Sequence, residues 1–142
     1  MRQIKQVGGN HYGHLKYDTW DLAMDTAMPF SQASAIKYIV RAPYKGTALL
    51  DIQKARSYIQ GMVEHDQGAA VPIPEYGPDY IQHLSQCTEK FIDQLALSGS
   101  EITAIRELAQ VHILDRKSRA RVFVDALRAV DFLEKEYYDN QP

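Results

Sequence analysis

The chain has 142 residues, 45% hydrophobic and 24% charged, with a formal net charge of -2. That suits one soluble domain with a moderate core; it excludes a membrane-spanning helix, because no apolar run approaches about 18 residues, and it argues against a general nucleic-acid binder. The lone Cys87 excludes an internal disulfide and a cysteine-built zinc site, and the N-terminus lacks an apolar signal core, so a cytoplasmic protein is expected.

Charge is unevenly spread. Residues 1–66 hold 8 Lys/Arg against 6 Asp/Glu, and residues 67–142 hold 8 against 12. Anion handling therefore belongs to the first half. Residues 1–17 are rich in Gly, His and Tyr without periodicity, which reads as a loop or arm. Their glycines fit neither a P-loop nor a dinucleotide fingerprint, since no strand precedes them and no Gly-Lys-Ser/Thr follows.

A short helix is expected from Thr19 to Met28, capped by Asp18 or Thr19 and buried through Trp20, Ala23, Met24 and Ala27. Pro29 ends it. A second helix runs from Ser31 to Ala42, with Ala33, Ile36, Ile39 and Val40 inward, and stops at Pro43. A third runs from Ala48 to His65, capped by Thr47, with Leu50, Ala55, Tyr58, Ile59, Met62 and Val63 inward. Residues 67–79 hold three prolines and two glycines and form the linker. Further helices are expected at Asp79–Leu97, Glu101–Leu114 (capped by Ser100) and Ser118–Tyr138; the last is buried through Val122, Phe123, Ala126, Leu127, Val130 and Leu133. No segment alternates like a strand, so the class is all-α, a bundle of about six helices. The organisation reads as 1–66, a linker at 67–78, and 79–142.

A faint repeat is visible. Ala35-Ile-Lys-Tyr-Ile resembles Ala104-Ile-Arg-Glu-Leu, and Asp51-x-x-Lys-Ala-x-x-Tyr-Ile resembles Asp125-x-x-Arg-Ala-x-x-Phe-Leu. Two degenerate three-helix units, 19–66 and 79–138, would explain it; chance likeness between amphipathic helices is the plainer account. In the second copy Gln110 stands where Arg41 stands.

The chemistry concentrates in helices two and three. Lys37 and Arg41 are four apart and share a helix face. Lys45 follows in the turn and Lys54 projects from the next helix. Together they make a cradle for a polyanion such as a nucleotide phosphate, with a solvated basic face as the bland alternative. Asp18, Asp21 and Asp25 share a face. Asp21 and Asp25 are the candidate ligands for Mg²⁺ beside substrate phosphates, although an acidic first turn also suits the helix dipole. Asp51 either serves the dipole or orients Lys54. Cys87 reads as a small core residue, His83 and His112 as ordinary helix residues, and Arg116, Lys117, Arg119 and Arg121 as a solvated helix start.

His11-Tyr12, Asp21, Phe30, Ala35-Ile36-Lys37-Tyr38-Ile39, Arg41-Ala42, Lys45, Asp51, Lys54-Ala55 and Tyr58 form a series of short blocks in fixed order. Together they resemble a small phage protein family (SaV-like) that includes the nucleotide kinase of T7-type phages. The resemblance covers residues 8–65 and departs at Ser34, where Asn is usual, and at Pro43, where Gly is common. It implies a phage protein that handles nucleotides in the host cytoplasm as a deoxynucleoside monophosphate kinase without a Walker motif. His11, Lys37 and Arg41 would then be catalytic, and Tyr12, Trp20, Tyr38, Lys45, Asp51 and Lys54 would bind substrate. The expected partners are a nucleotide and further copies of the chain. A non-catalytic nucleotide-sequestering protein is the alternative reading. An all-α triphosphate pyrophosphatase ranks below it, because helices two and three contain no Glu-x-x-Glu pair.

Overall fold

The computed structural model describes residues 15–44, 46–68, 75–97 and 99–141. Among them are six α-helices and no strand: α1 (Thr19–Thr26), α2 (Phe30–Arg41), α3 (Ala48–Gly68), α4 (Pro78–Asp93), α5 (Gly99–Gln110) and α6 (Arg116–Asp139). Two 3₁₀ turns, Ala42–Tyr44 and Val111–Ile113, follow α2 and α5. No described helix is long and apolar enough to cross a membrane.

The helix starts follow from local chemistry. Asp18 caps α1 and accepts from the Asp21 N–H at 3.0 Å, while the Asp21 carboxylate accepts from the Asp18 N–H at 3.0 Å. Two otherwise orphaned donors are thereby satisfied. Asp115 caps α6 by accepting from the Ser118 N–H at 2.8 Å. Pro78 opens α4, at the position where its missing N–H costs nothing. At the end of α2, Pro43 has no N–H to continue the helix, and the chain tightens into the first 3₁₀ turn.

Helices α2, α3, α6 and α5 pack in a ring, each against the next, and α1 and α4 lie together along one side. One continuous core fills the ring. It holds Ile36 and Ile39 of α2, Ile52 and Ile59 of α3, Leu108 of α5, and Phe123, Val130 and Leu133 of α6. Burying each such side chain contributes about 1.5–3 kcal/mol. Arg56 on α3 bridges Asp131 and Glu134 on α6, and Arg119 on α6 grips Asp66 on α3 through two bonds, so these two helices run antiparallel. The packing also pairs the halves element by element: α1 with α4, α2 with α5, and α3 with α6. The second half thus supplies the surface that the first half needs to bury.

Three expectations about faces and ends are corrected. On α1 the inward residues are Thr19, Leu22 and Thr26, while Trp20 and Met24 are 48% and 63% exposed. The Thr26 hydroxyl donates to the Leu22 carbonyl at 2.7 Å, which lets a polar residue sit inside where Met24 was expected. On α3, Ile52 is buried and Leu50 exposed, because Asp51 turns inward to an ion pair described below. Helix α4 ends at Asp93 rather than Leu97. There the Gln94 amide donates to the Tyr17 carbonyl and accepts from the Tyr17 N–H at 3.2 Å, fastening the segment before α1 to the end of α4.

Candidate functional site

Helices α2 and α3 form an antiparallel hairpin, because Arg41 at the end of α2 meets Asp51 at the start of α3, and Phe30 at the start of α2 meets Tyr58 further along α3. Tyr38 lies at its centre. The Lys37 ammonium is 4.7 Å from the Tyr38 ring centroid, the Lys54 ammonium 5.3 Å, and the Arg41 guanidinium carbon 5.5 Å. Each such contact is worth about 0.5–1 kcal/mol at an exposed site. Spacing explains the gathering: Arg41 is one turn beyond Tyr38 on α2, and Lys54 one turn before Tyr58 on α3. The Tyr38 and Tyr58 rings stack at 5.9 Å and 14°, and Phe30 meets Tyr58 edge-on at 5.9 Å. The stack holds the two cation-bearing turns at one level.

A single carboxylate anchors the cluster. Asp51 is fully buried, and its Oδ2 lies 3.4 Å from Arg41 Nε. The Thr47 hydroxyl donates to the same oxygen at 3.4 Å. Arg41 Nε and Asp51 Oδ1 are buried without a hydrogen-bond partner, so the contact is an ion pair rather than a well-formed hydrogen bond. Asp51 was expected to orient Lys54 or to touch substrate. It is sealed from solvent and faces Arg41 instead, the partner across the turn rather than along the helix. Arg41 keeps 14% of its side chain exposed, and its terminal nitrogens have no partner among the described residues. Lys37 and Lys54 have no acidic partner among the described residues, so of the three cations only Arg41 is paired with a carboxylate.

Other expected site residues lie elsewhere. His11, Tyr12 and Lys45 fall outside the described residues. Trp20 stands on α1, half exposed, outside the α2–α3 hairpin that carries the cluster. Asp21 is engaged in the α1 capping box, and Asp25 accepts from the Tyr17 hydroxyl at 2.8 Å. Among the described residues no group of three or more His, Cys, Asp or Glu could hold a metal ion. Cys87 is buried with its Sγ 3.6 Å from His83 Nε2. On the α5–α6 side, Glu107 stands where the repeat places Tyr38. Burial first, and the Asp125 carboxylate second, push its carboxyl above the usual range.

A second feature was not legible in the sequence. A cavity of about 600 Å³ opens beside Phe30, between the start of α2, the far part of α3, the turn Val111–Ile113 and α6. A buried polar chain backs it. The Tyr80 hydroxyl lies 2.6 Å from the Thr26 carbonyl and 2.6 Å from His112 Nε2, and Gln32 Nε2 lies 2.7 Å from His112 Nδ1. Tyr80 gives its only proton to the carbonyl, so His112 donates from Nε2 and accepts at Nδ1. Burial, then the Arg119 cation, lower the His112 pKa to about 4. The ring is neutral near pH 7.

Comparison with known proteins adds one likeness. Residues 8–60 match the family DUF3310, described as a protein of unknown function. Phe30, Lys37, Tyr38, Arg41, Asp51, Lys54 and Tyr58 all fall inside that stretch, whereas Tyr76, His112 and Arg119 of the cavity lie beyond it. No curated protein and no solved structure matches the chain.

Proposed function

We propose that this chain binds the phosphate tail of a nucleotide between Lys37, Arg41 and Lys54, and that phosphoryl transfer to a deoxynucleoside monophosphate is the activity built on that site. The observation that carries the reading is three cations held within 5.5 Å of one tyrosine ring, with only Arg41 paired to a buried carboxylate. Asp51 engages Arg41 through Nε, which leaves the terminal nitrogens for two parallel bonds to phosphate oxygens, a geometry lysine cannot provide. Lys37 and Lys54 add point charge on the same ring.

Phosphoryl transfer needs positioning and charge neutralisation more than covalent help, and this cluster offers both. The kinase half of the reading rests on the resemblance of residues 8–65 to the family that includes the T7-type enzyme. The test uses the full chain with a labelled triphosphate donor, a panel of deoxynucleoside monophosphates and magnesium. Labelled diphosphate should appear, and Lys37→Ala and Arg41→Ala should each abolish it. Tight nucleotide binding without product would refute transfer and retain binding. Absence of binding across the panel would refute both.

A further inference from the structure

The cavity beside Phe30 and the cation cluster are two ends of one continuous surface. Phe30 borders the cavity and meets Tyr58 edge-on; Tyr58 stacks on Tyr38; and Tyr38 carries the three cations. We infer that a nucleoside triphosphate lies along this surface, with its base in the cavity and its phosphates on Lys37, Arg41 and Lys54. The inference rests on the phosphate reading of the cluster and adds the class of nucleotide and the seat of its base.

Four observations support it. The cavity, at about 600 Å³, has the size of a small-ligand site. Its wall carries the apolar and aromatic side chains Phe30, Met62, Tyr76, Val111 and Phe123, which suit the faces of a base. Phe30 is 75% exposed at the rim, an aromatic surface left in water unless a planar ligand covers it. Arg119 supplies polar recognition: its Nε and one terminal nitrogen hold Asp66, and its other terminal nitrogen has no partner among the described residues. That nitrogen is a donor for a base carbonyl or ring nitrogen. His112 takes no part in recognition, since both its ring nitrogens are engaged.

Length selects the triphosphate. Phe30 and Tyr38 are eight residues apart on α2, about 12 Å at 1.5 Å per residue. The single phosphate of a monophosphate sits too close to its base to span that distance. The terminal phosphates of a triphosphate reach it. The seat therefore suits a phosphoryl donor rather than a monophosphate acceptor.

Gly61 provides a clean test. It lines the cavity from within α3, and a Cβ built there meets no atom within 4 Å. The Cβ position is open, so Gly61→Leu adds bulk at the cavity wall, and leucine favours the helix that glycine disfavours. Calorimetry on the full chain would compare ATP, dGTP, dGMP and inorganic triphosphate on the wild type, Gly61→Leu and Phe30→Ala. At least one nucleoside triphosphate should bind the wild type about tenfold or more tighter than inorganic triphosphate or dGMP, a difference of roughly 1.4 kcal/mol. Gly61→Leu should reduce it to the level of inorganic triphosphate and leave inorganic triphosphate unchanged. Phe30→Ala, an exposed change, should weaken the nucleotide alone. Equal binding of nucleotide and inorganic triphosphate by the wild type, or full nucleotide affinity in Gly61→Leu, would overturn the cavity assignment while leaving the phosphate cluster intact. No binding of inorganic triphosphate or nucleotide would overturn both.

Discussion

Cutting the Arg41–Asp51 pair from either side should give unequal losses. Asp51 is fully buried, whereas Arg41 keeps 14% of its side chain in contact with water. Removing the arginine strands a carboxylate in the core; removing the carboxylate leaves a cation that can turn outward. Breaking a buried pair from one side costs about 3–5 kcal/mol. The 3.4 Å separation and the unpartnered Oδ1 place this pair at the weak end. Arg41→Met should therefore cost about 3 kcal/mol and Asp51→Ala about 1–2 kcal/mol. A chain of this size has roughly 7–20 kcal/mol of stability, so both variants stay folded. The double variant Arg41→Met/Asp51→Leu removes both charges and should return to within about 1 kcal/mol of the wild type. Urea unfolding at pH 7 measures all three, and Arg41→Met should also melt about 6–12 °C lower. If Asp51→Ala costs as much as Arg41→Met, or the double variant is as weak as the sum of the singles, the asymmetric buried pair is the wrong description.

Other predictions follow from single contacts. With the His112 pKa at about 4 in the fold and 6.5 in the unfolded chain, only the unfolded state takes up the proton between those values. Stability is full above about pH 6.5, falls by about 3 kcal/mol towards pH 4, and this contribution levels off below. His112→Gln should flatten that decline in urea midpoints, and a ring titrating near 6.5 by NMR would contradict it. Two opposite exchanges should both stabilise: Gly61→Ala because the space for a Cβ is open within a helix, and Ala27→Gly because Ala27 sits at φ 52. Each should add about 0.5–1 kcal/mol in thermal unfolding, and a loss at either site would refute the local backbone reading. Trp20→Ser, on the exposed side of α1, should leave nucleotide affinity within about twofold, a free-energy change under 0.5 kcal/mol; a tenfold loss would return Trp20 to the site.

The helices were legible because punctuation and period agree. Pro29, Pro43, the 67–79 linker and Gly99 bracket segments whose apolar residues recur at helical spacing. Faces were less legible on short or polar helices. α1 has barely two turns, so its four-residue stripe had little power to choose a side, and a self-satisfied Thr26 passed as a polar residue. The cluster was legible in part: local spacing gathers Lys37, Tyr38 and Arg41, but nothing local tells whether Asp51 faces Lys54 or Arg41. The cavity was not legible at all. Gln32 meets His112 across 80 positions, and Asp66 meets Arg119 across 53, so only tertiary packing brings its walls together. Tyr76 and Tyr80, four apart and stacked at 4.7 Å, were its one local trace.

The most direct test is an NMR titration with a nucleoside triphosphate, following the aromatic rings and the lysine side chains at pH 7. The account predicts that Tyr38 and Tyr58 ring resonances and the Lys37 and Lys54 side-chain signals shift together and saturate with one affinity, and that Lys37→Gln/Lys54→Gln abolishes the shifts while the fold persists. Saturating shifts confined to the exposed Arg116, Lys117 and Arg121 at the start of α6, with Tyr38 unmoved, would contradict it.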